Sequence, residues 1–237
     1  MRASQKTRPP RLDVQRLRVS FARGEPLKYL THLDMMRLWE RVLRRAQIPL
    51  SYSEGYSHHP KLALASPLPV GVTSQVELLD IFLWRRLSPY ALIKAVTDQL
   101  SPGLEVLEVE QVSLRVPSLQ SQLRYTEYQV AVLQDGRNHQ EVERAIVDLL
   151  AQEHLSWQRH RDTGDRPLDL RTTVDRIWVI GAQAGCWLLG MRLRSDPTIT
   201  GRPEEVTAAL GFGEPPISRH RTKLVLEAPR LPSRRFG

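Results

Sequence analysis

Hydrophobic periodicity along this chain changes from two residues to about 3.6 and back at four places, and that alternation restricts the fold more than any single motif does. Residues 15–23 set Leu17, Val19 and Phe21 on one side and Arg16, Arg18 and Ser20 on the other, the pattern of a half-buried strand. Thr31-His-Leu-Asp34 then carries a helix-start signal, with the Thr31 hydroxyl placed to cap a helix of about 15 residues. Its spacing turns Leu33, Met36, Trp39 and Leu43 inward, widened by Leu38 and Val42. Alternating runs return at 75–83 and 104–112, on either side of a helix that Ser88 caps and Pro89 opens. The second half repeats the order. Residues 125–133 alternate, 140–151 are helical, and 176–181 pairs with 185–193 across Gly-Ala-Gln-Ala-Gly. A short helix over 203–210 precedes a last strand over 217–226. The fold class this predicts is α+β, as two tandem ferredoxin-like (β-α-β-β-α-β) units, each an antiparallel sheet with helices on one face. Their bounds are 15–116 and 117–228, between a basic tail at 1–14 and a flexible tail at 229–237.

Charge narrows the class of partner. Lysine and arginine number 34 against 26 acids, a net charge of +8, and only five of the basic residues are lysine. A flat, forked guanidinium suits phosphate contact and base stacking better than an ammonium does, so a polyanion partner is expected. No apolar window is long enough to span a bilayer, and the charged, Pro-rich start lacks the apolar centre of a secretion signal. One cysteine, Cys186, leaves no internal disulfide and no cysteine-ligated metal within the chain. A cytoplasmic location is the expectation that follows.

One stretch gathers the chemistry. Tyr52, Ser53, Glu54, Gly55, Tyr56, Ser57, His58, His59, Pro60 and Lys61 run together, directly after the first helix. Gly55 permits a positive-φ turn and Pro60 stiffens the loop, which suits recognition or docking. The helix before it bears Arg37, Arg41, Arg44 and Arg45 on one face, with Glu40 the single acid in the stripe. His32, in the first helical turn, serves as a general acid or base only with a second group, which Tyr56, His58 or Lys61 would supply. Adjacent histidines on an extended loop point apart, and no His-x-x-x-His spacing accompanies them, so neither a metal nor another cofactor is expected. Glu77 and Asp80 have opposite parity on their strand and so face different sides, which argues against a paired-carboxylate site.

Several segments carry a family likeness. Tyr29-Leu-Thr-His-Leu-Asp34, Arg44-Arg-Ala46, Tyr52-Ser-Glu-Gly-Tyr-Ser-His-His-Pro-Lys61, Pro67-Leu-Pro-Val-Gly71 and Glu77-Leu-Leu-Asp80 resemble a bacterial family of unknown function described as radical-SAM-linked proteins. Asp169-Leu-Arg171 and Gly201-Arg-Pro-Glu-Glu205 fit its second half, with Thr172 where the pattern has proline. The resemblance implies a radical S-adenosylmethionine enzyme as partner, since members are encoded beside one or fused behind it. The chain lacks the Cys-x-x-x-Cys-x-x-Cys cluster and is not itself that enzyme. A more distant likeness in architecture is to CRISPR repeat-processing endoribonucleases, with His32 and Gly211-Phe-Gly213 in comparable places. Three expectations follow. The first is an accessory module that contacts structured RNA through the arginine-rich helix and the 51–61 loop. The second is a metal-independent ribonuclease using His32 with Tyr56 or His58. The third is a protein-docking domain without nucleic acid.

Overall fold

A computed structural model describes residues 12–54, 58–160 and 164–227. Strand β1 (Gln15–Arg23) leads to helix α1 (His32–Arg45), β2 (Leu62–Leu64), β3 (Thr73–Leu83), α2 (Pro89–Thr97) and β4 (Leu104–Val112). The short helix α3 (Leu119–Gln122) joins this half to β5 (Leu123–Leu133) and α4 (His139–Ala151). Then come β6 (Ser156–Arg159), β7 (Arg166–Asp169), β8 (Val174–Gln183), β9 (Cys186–Arg194), α5 (Pro203–Ala209) and β10 (Ser218–Leu226).

The class is α+β and the sheet is mostly antiparallel, but the two halves do not keep separate sheets. They share one, in the order β4-β1-β3-β10-β5-β9-β8, with β2 also on β3 and β6-β7 as a separate ribbon. The joint is a parallel contact of two residue pairs, His220 with Thr73 and Arg221 with Ser74. It exists because β2 occupies the edge of β3 only over Leu79–Ile81, which leaves the start of β3 open for β10. Two cores lie under the helices. Leu17, Val19, Phe21, Leu79 and Ile81 pack against α1 and α2, and Val130, Leu189, Met191 and Leu193 pack with α4 and α5 residues. Leu68 and Val72, from the first half, belong to the second core.

Helix α1 begins as its sequence dictates. Asp34 N–H donates to Thr31 Oγ1 (3.3 Å), and Thr31 N–H returns to the Asp34 carboxylate (3.2 Å). The inward stripe is Met35, Leu38, Trp39, Val42 and Leu43, whereas Leu33 is 64% exposed. The expected phase was therefore wrong at the first turn, because a stripe of three-and-four spacing starts at Met35. Strand β1 differs more. Arg16 and Arg18 are buried, both against Asp80, because residues 113–122 cross that face on the way to β5. Arg16 donates to the carbonyls of Val116 (2.7 Å) and Pro117 (3.0 Å), which supply acceptors that water would otherwise provide. Glu77 and Asp80 do face opposite sides of β3, as their parity requires.

Two local features of the second half yield predictions. The β8–β9 turn places Ala184 (φ 50°) and Gly185 (φ 74°) in the left-handed region, as a two-residue hairpin demands. On the outer sheet face the Trp178 ring lies across Gly190, where a Cβ would come within 2.0 Å of it. Gly190→Ala should displace that ring and cost about 1–3 kcal/mol, read as a lower urea midpoint. In a Trp178→Ala background the same change should cost almost nothing, and an equal cost in both backgrounds would refute the contact. After β9, the Asp196 carboxylate accepts the Thr198 hydroxyl (2.5 Å), Thr198 N–H (2.8 Å) and Ile199 N–H (3.0 Å), with Arg194 Nε at 2.5 Å. Burial pushes this carboxyl up, but those donors outweigh it and hold it far below the usual carboxylate range. A depressed folded-state value stabilises the protein above the unfolded pKa of about 3.9 and is lost as pH falls. Asp196→Asn should therefore lower stability at pH 7 by about 1–3 kcal/mol and leave a smaller difference from wild type near pH 2. Urea melts at the two pH values check this.

Candidate functional site

Five arginines are structural. Arg16, Arg18, Arg23, Arg159 and Arg221 are all buried, so part of the arginine excess builds the fold and does not face a partner. Arg23 donates to the carbonyls of Leu27 (3.0 Å), Lys28 (2.9 Å) and Leu30 (2.8 Å), which locks the turn before α1. Arg159 forms a two-pronged pair with Glu205 (2.6 Å each). Arg221 reaches both Glu77 oxygens (3.1 and 3.0 Å), the Tyr128 hydroxyl (3.0 Å) and the Pro67 carbonyl (3.2 Å). Burial pushes the Glu77 carboxyl up, and the adjacent Arg221 pulls against it.

A different set is free to meet a partner. Arg37, Arg41, Arg44 and Arg45 lie on the exposed face of α1. Arg37 is 3.7 Å from Asp34 and Arg44 is 2.8 Å from Glu40, while Arg41 and Arg45 form no ion pair among the described residues. From the end of α1 the chain runs to Pro49, whose carbonyl accepts Trp84 N–H at 3.1 Å. That bond brings a second basic segment alongside, because Arg85 and Arg86 follow Trp84 and are exposed. The Arg85 guanidinium sits 5.5 Å from the Trp84 ring centre.

The 51–61 segment is a hairpin anchored at the same end. Ser51 N–H donates to Phe82 O (2.8 Å), Lys61 N–H to Ser51 O (2.8 Å) and Ser53 N–H to His59 O (2.8 Å), and Tyr52 bridges Pro60. His58 Nδ1 is 2.9 Å from Ser53 O, and His59 N–H donates to Ser53 Oγ (3.0 Å). Tyr52, Glu54, His58 and His59 are exposed. Gly55, Tyr56 and Ser57 lie outside the described residues. Lys61 does not join the α1 arginines. Leu62 and Leu64 pair with Ile81 and Leu79 and point into the core under α1, so Lys61 has the opposite parity, and its Nζ pairs with Asp13 (3.1 Å).

His32 is also set apart from the hairpin. Its Nδ1 is closed off from solvent without a hydrogen-bond partner, beside a void of about 10 Å³ lined with Arg23, Met35 and Glu77. That space holds at most one water and admits no ribose. The void touches β3 at Glu77 and the hairpin joins it at Phe82, five residues or roughly 16 Å along the strand. The expected pairing of His32 with His58 is therefore not brought together. Among the described residues no group of three or more His, Cys, Asp or Glu side chains converges. No helix there is long and apolar enough to cross a membrane. What sequence reasoning missed is Trp84-Arg-Arg86, three residues visible in the chain that are placed beside the segment after α1 by the pairing of Pro49, Leu50 and Ser51 with 82–84.

No curated protein matches the sequence. Among solved structures, the chain resembles one in a crystal structure of a Cbf5-Nop10-Gar1 complex (TM-score 0.48, 11% identity, 87% of this chain and 48% of that one). It also resembles one in an archaeal box H/ACA sRNP Nop10-Cbf5 complex (TM-score 0.48, 12% identity, 90% and 49%). A third likeness is to the acetolactate synthase small subunit from Thermotoga maritima (TM-score 0.27, 13% identity, 92% and 98%). The chain spans about half the length of the first two. A family model matches residues 16–198, and its description names neither a radical S-adenosylmethionine enzyme nor a CRISPR nuclease. The chain belongs to that family, described as an uncharacterized protein conserved in bacteria (DUF2344).

Proposed function

We propose that this protein is a non-enzymatic binding module that contacts structured RNA at the end of the first half where α1, the 51–61 hairpin and Trp84-Arg-Arg86 meet. The observation that carries the reading is the bond from Trp84 N–H to Pro49 O, which draws Arg85 and Arg86 to the Arg44–Arg45 end of α1. Arg45 there lacks a carboxylate partner among the described residues, so its charge is available to phosphates. Tyr52 adds an exposed ring on which an unpaired base stacks. The working partner is a radical S-adenosylmethionine enzyme, an inference from the sequence resemblance. The strand orders β4-β1-β3-β2 and β10-β5-β9-β8 support two ferredoxin-like units over 15–116 and 117–228, fused edge to edge. In this reading His32 packs and does not catalyse.

Ultraviolet crosslinking to RNA followed by peptide mapping tests the site. Crosslinked peptides should fall within 37–61 and 84–86. Crosslinks confined to the second half would refute the location, and no crosslink with a protein partner still captured would favour docking without nucleic acid.

A further inference from the structure

The second half carries a cleft of about 580 Å³ where β5 and β8 begin and β9 ends, within the roughly 300–1,000 Å³ common for small-ligand sites. Arg124, Arg171 and Arg194 line it, with Tyr125, Asp175 and Asp196. Hydrogen-bond supply and demand are unequal there. Asp196 is already satisfied by Thr198, Ile199 and Arg194, and Asp175 lies 3.8 Å from Arg192. Arg171 is held by two neutral acceptors, Leu150 O (3.1 Å) and Val174 O (2.7 Å), and has no carboxylate partner among the described residues. Its guanidinium is fixed in place with its charge uncompensated. Arg194 donates only through Nε among the described contacts, and Arg124 uses its two terminal nitrogens on Ser121 O, Leu123 O and Glu227. The terminal nitrogens of Arg194, one of Arg171 and Nε of Arg124 therefore remain as donors, while Asp196 is occupied and Asp175 pairs with Arg192 outside the cleft arginines.

From this we infer that the cleft binds a phosphate-bearing ligand of mononucleotide size, with forked guanidiniums on the phosphate and the Tyr125 ring beside the remainder. Pre-anchored arginines suit this chemistry, because less side-chain freedom is lost on binding. The site is separate from the basic end of the first half and stands or falls independently of it.

Isothermal titration of the full chain tests it, with inorganic phosphate, adenosine monophosphate and a pentanucleotide RNA as probes. Adenosine monophosphate should bind saturably, and both Arg171→Gln and Arg194→Gln should raise its Kd about tenfold or more. Arg194 is partly exposed and pairs only within its own loop, so its variant reports on binding even if Arg171→Gln loosens the fold. Gln substitution of Arg44, Arg45, Arg85 and Arg86 should leave this Kd unchanged. If only the pentanucleotide binds, the cleft holds a strand and the mononucleotide-sized ligand is refuted. No saturable binding of any probe up to about 10 mM, or a Kd in Arg194→Gln within about twofold of wild type, would also overturn the inference.

Discussion

Replacing Arg221 with methionine is expected to destabilise the protein by about 3–5 kcal/mol, a large fraction of the net stability of an ordinary domain. Arg221 and Glu77 are both buried, and their paired charges meet where β10 lies against β3. That contact has only two residue pairs in its ladder, so the side-chain cluster of Arg221, Glu77, Tyr128 and the Pro67 carbonyl does much of the joining. Removing the guanidinium leaves a buried carboxylate without its hydrogen-bonded counter-charge and with only the more remote Arg23 to offset it. Two further results follow. The double variant Glu77→Gln/Arg221→Met should recover part of the loss, because no bare charge remains. In Arg221→Met alone, burial would raise the Glu77 pKa against only the weaker pull of Ser74 and Arg23, so the folded state would bind a proton that the unfolded state releases. A raised folded value favours the fold at low pH and penalises it as pH rises, so this variant should gain on wild type between pH 7 and pH 5. Urea midpoints at both pH values measure the effect. A midpoint within about 0.5 kcal/mol of wild type would mean that the joint is held by the ladder and the two cores.

Element order was legible because it depends on local signals. Thr31, Ser88 and Asn138 each cap the helix they precede, and the hairpin expected across 181–185 forms with a tighter turn, Ala184-Gly185. Joining the two halves into one sheet was not legible. It rests on two residue pairs 147 positions apart, and the strands involved carry no periodic feature that distinguishes a covered edge from an open one. Arg16 and Arg18 misled for a related reason. An alternating strand reads as half exposed unless something covers its polar face, and the cover is the segment after β4, whose Val116 and Pro117 carbonyls meet Arg16. At the candidate site the α1 arginines were read correctly as an exposed face. Lys61 faces away from the α1 side because its parity depends on the register of β2 against β3, and Arg85 and Arg86 are hard to find because their neighbour, Pro49, is distant in sequence.

Exchange of Arg44, Arg45, Arg85 and Arg86 for glutamine is expected to remove most of the RNA affinity while leaving the urea midpoint within about 1 kcal/mol of wild type, since all four are exposed. Four phosphate contacts to a single strand predict a slope of about −3 in log K against log salt, or roughly a 50-fold weakening between 50 and 200 mM. Losing them should bring the slope close to zero. Arg115 and Arg144 are exposed elsewhere and provide the control, since glutamine at these two positions should leave the slope as in wild type. The decisive measurement is therefore a fluorescence-anisotropy titration of one RNA at four salt concentrations, with wild type, the fourfold variant and the control. A steep slope in wild type and control with a nearly flat one in the fourfold variant is the predicted result. The same slope in all three proteins, or no RNA binding by wild type at 50 mM salt, would contradict the proposal that this basic end holds RNA.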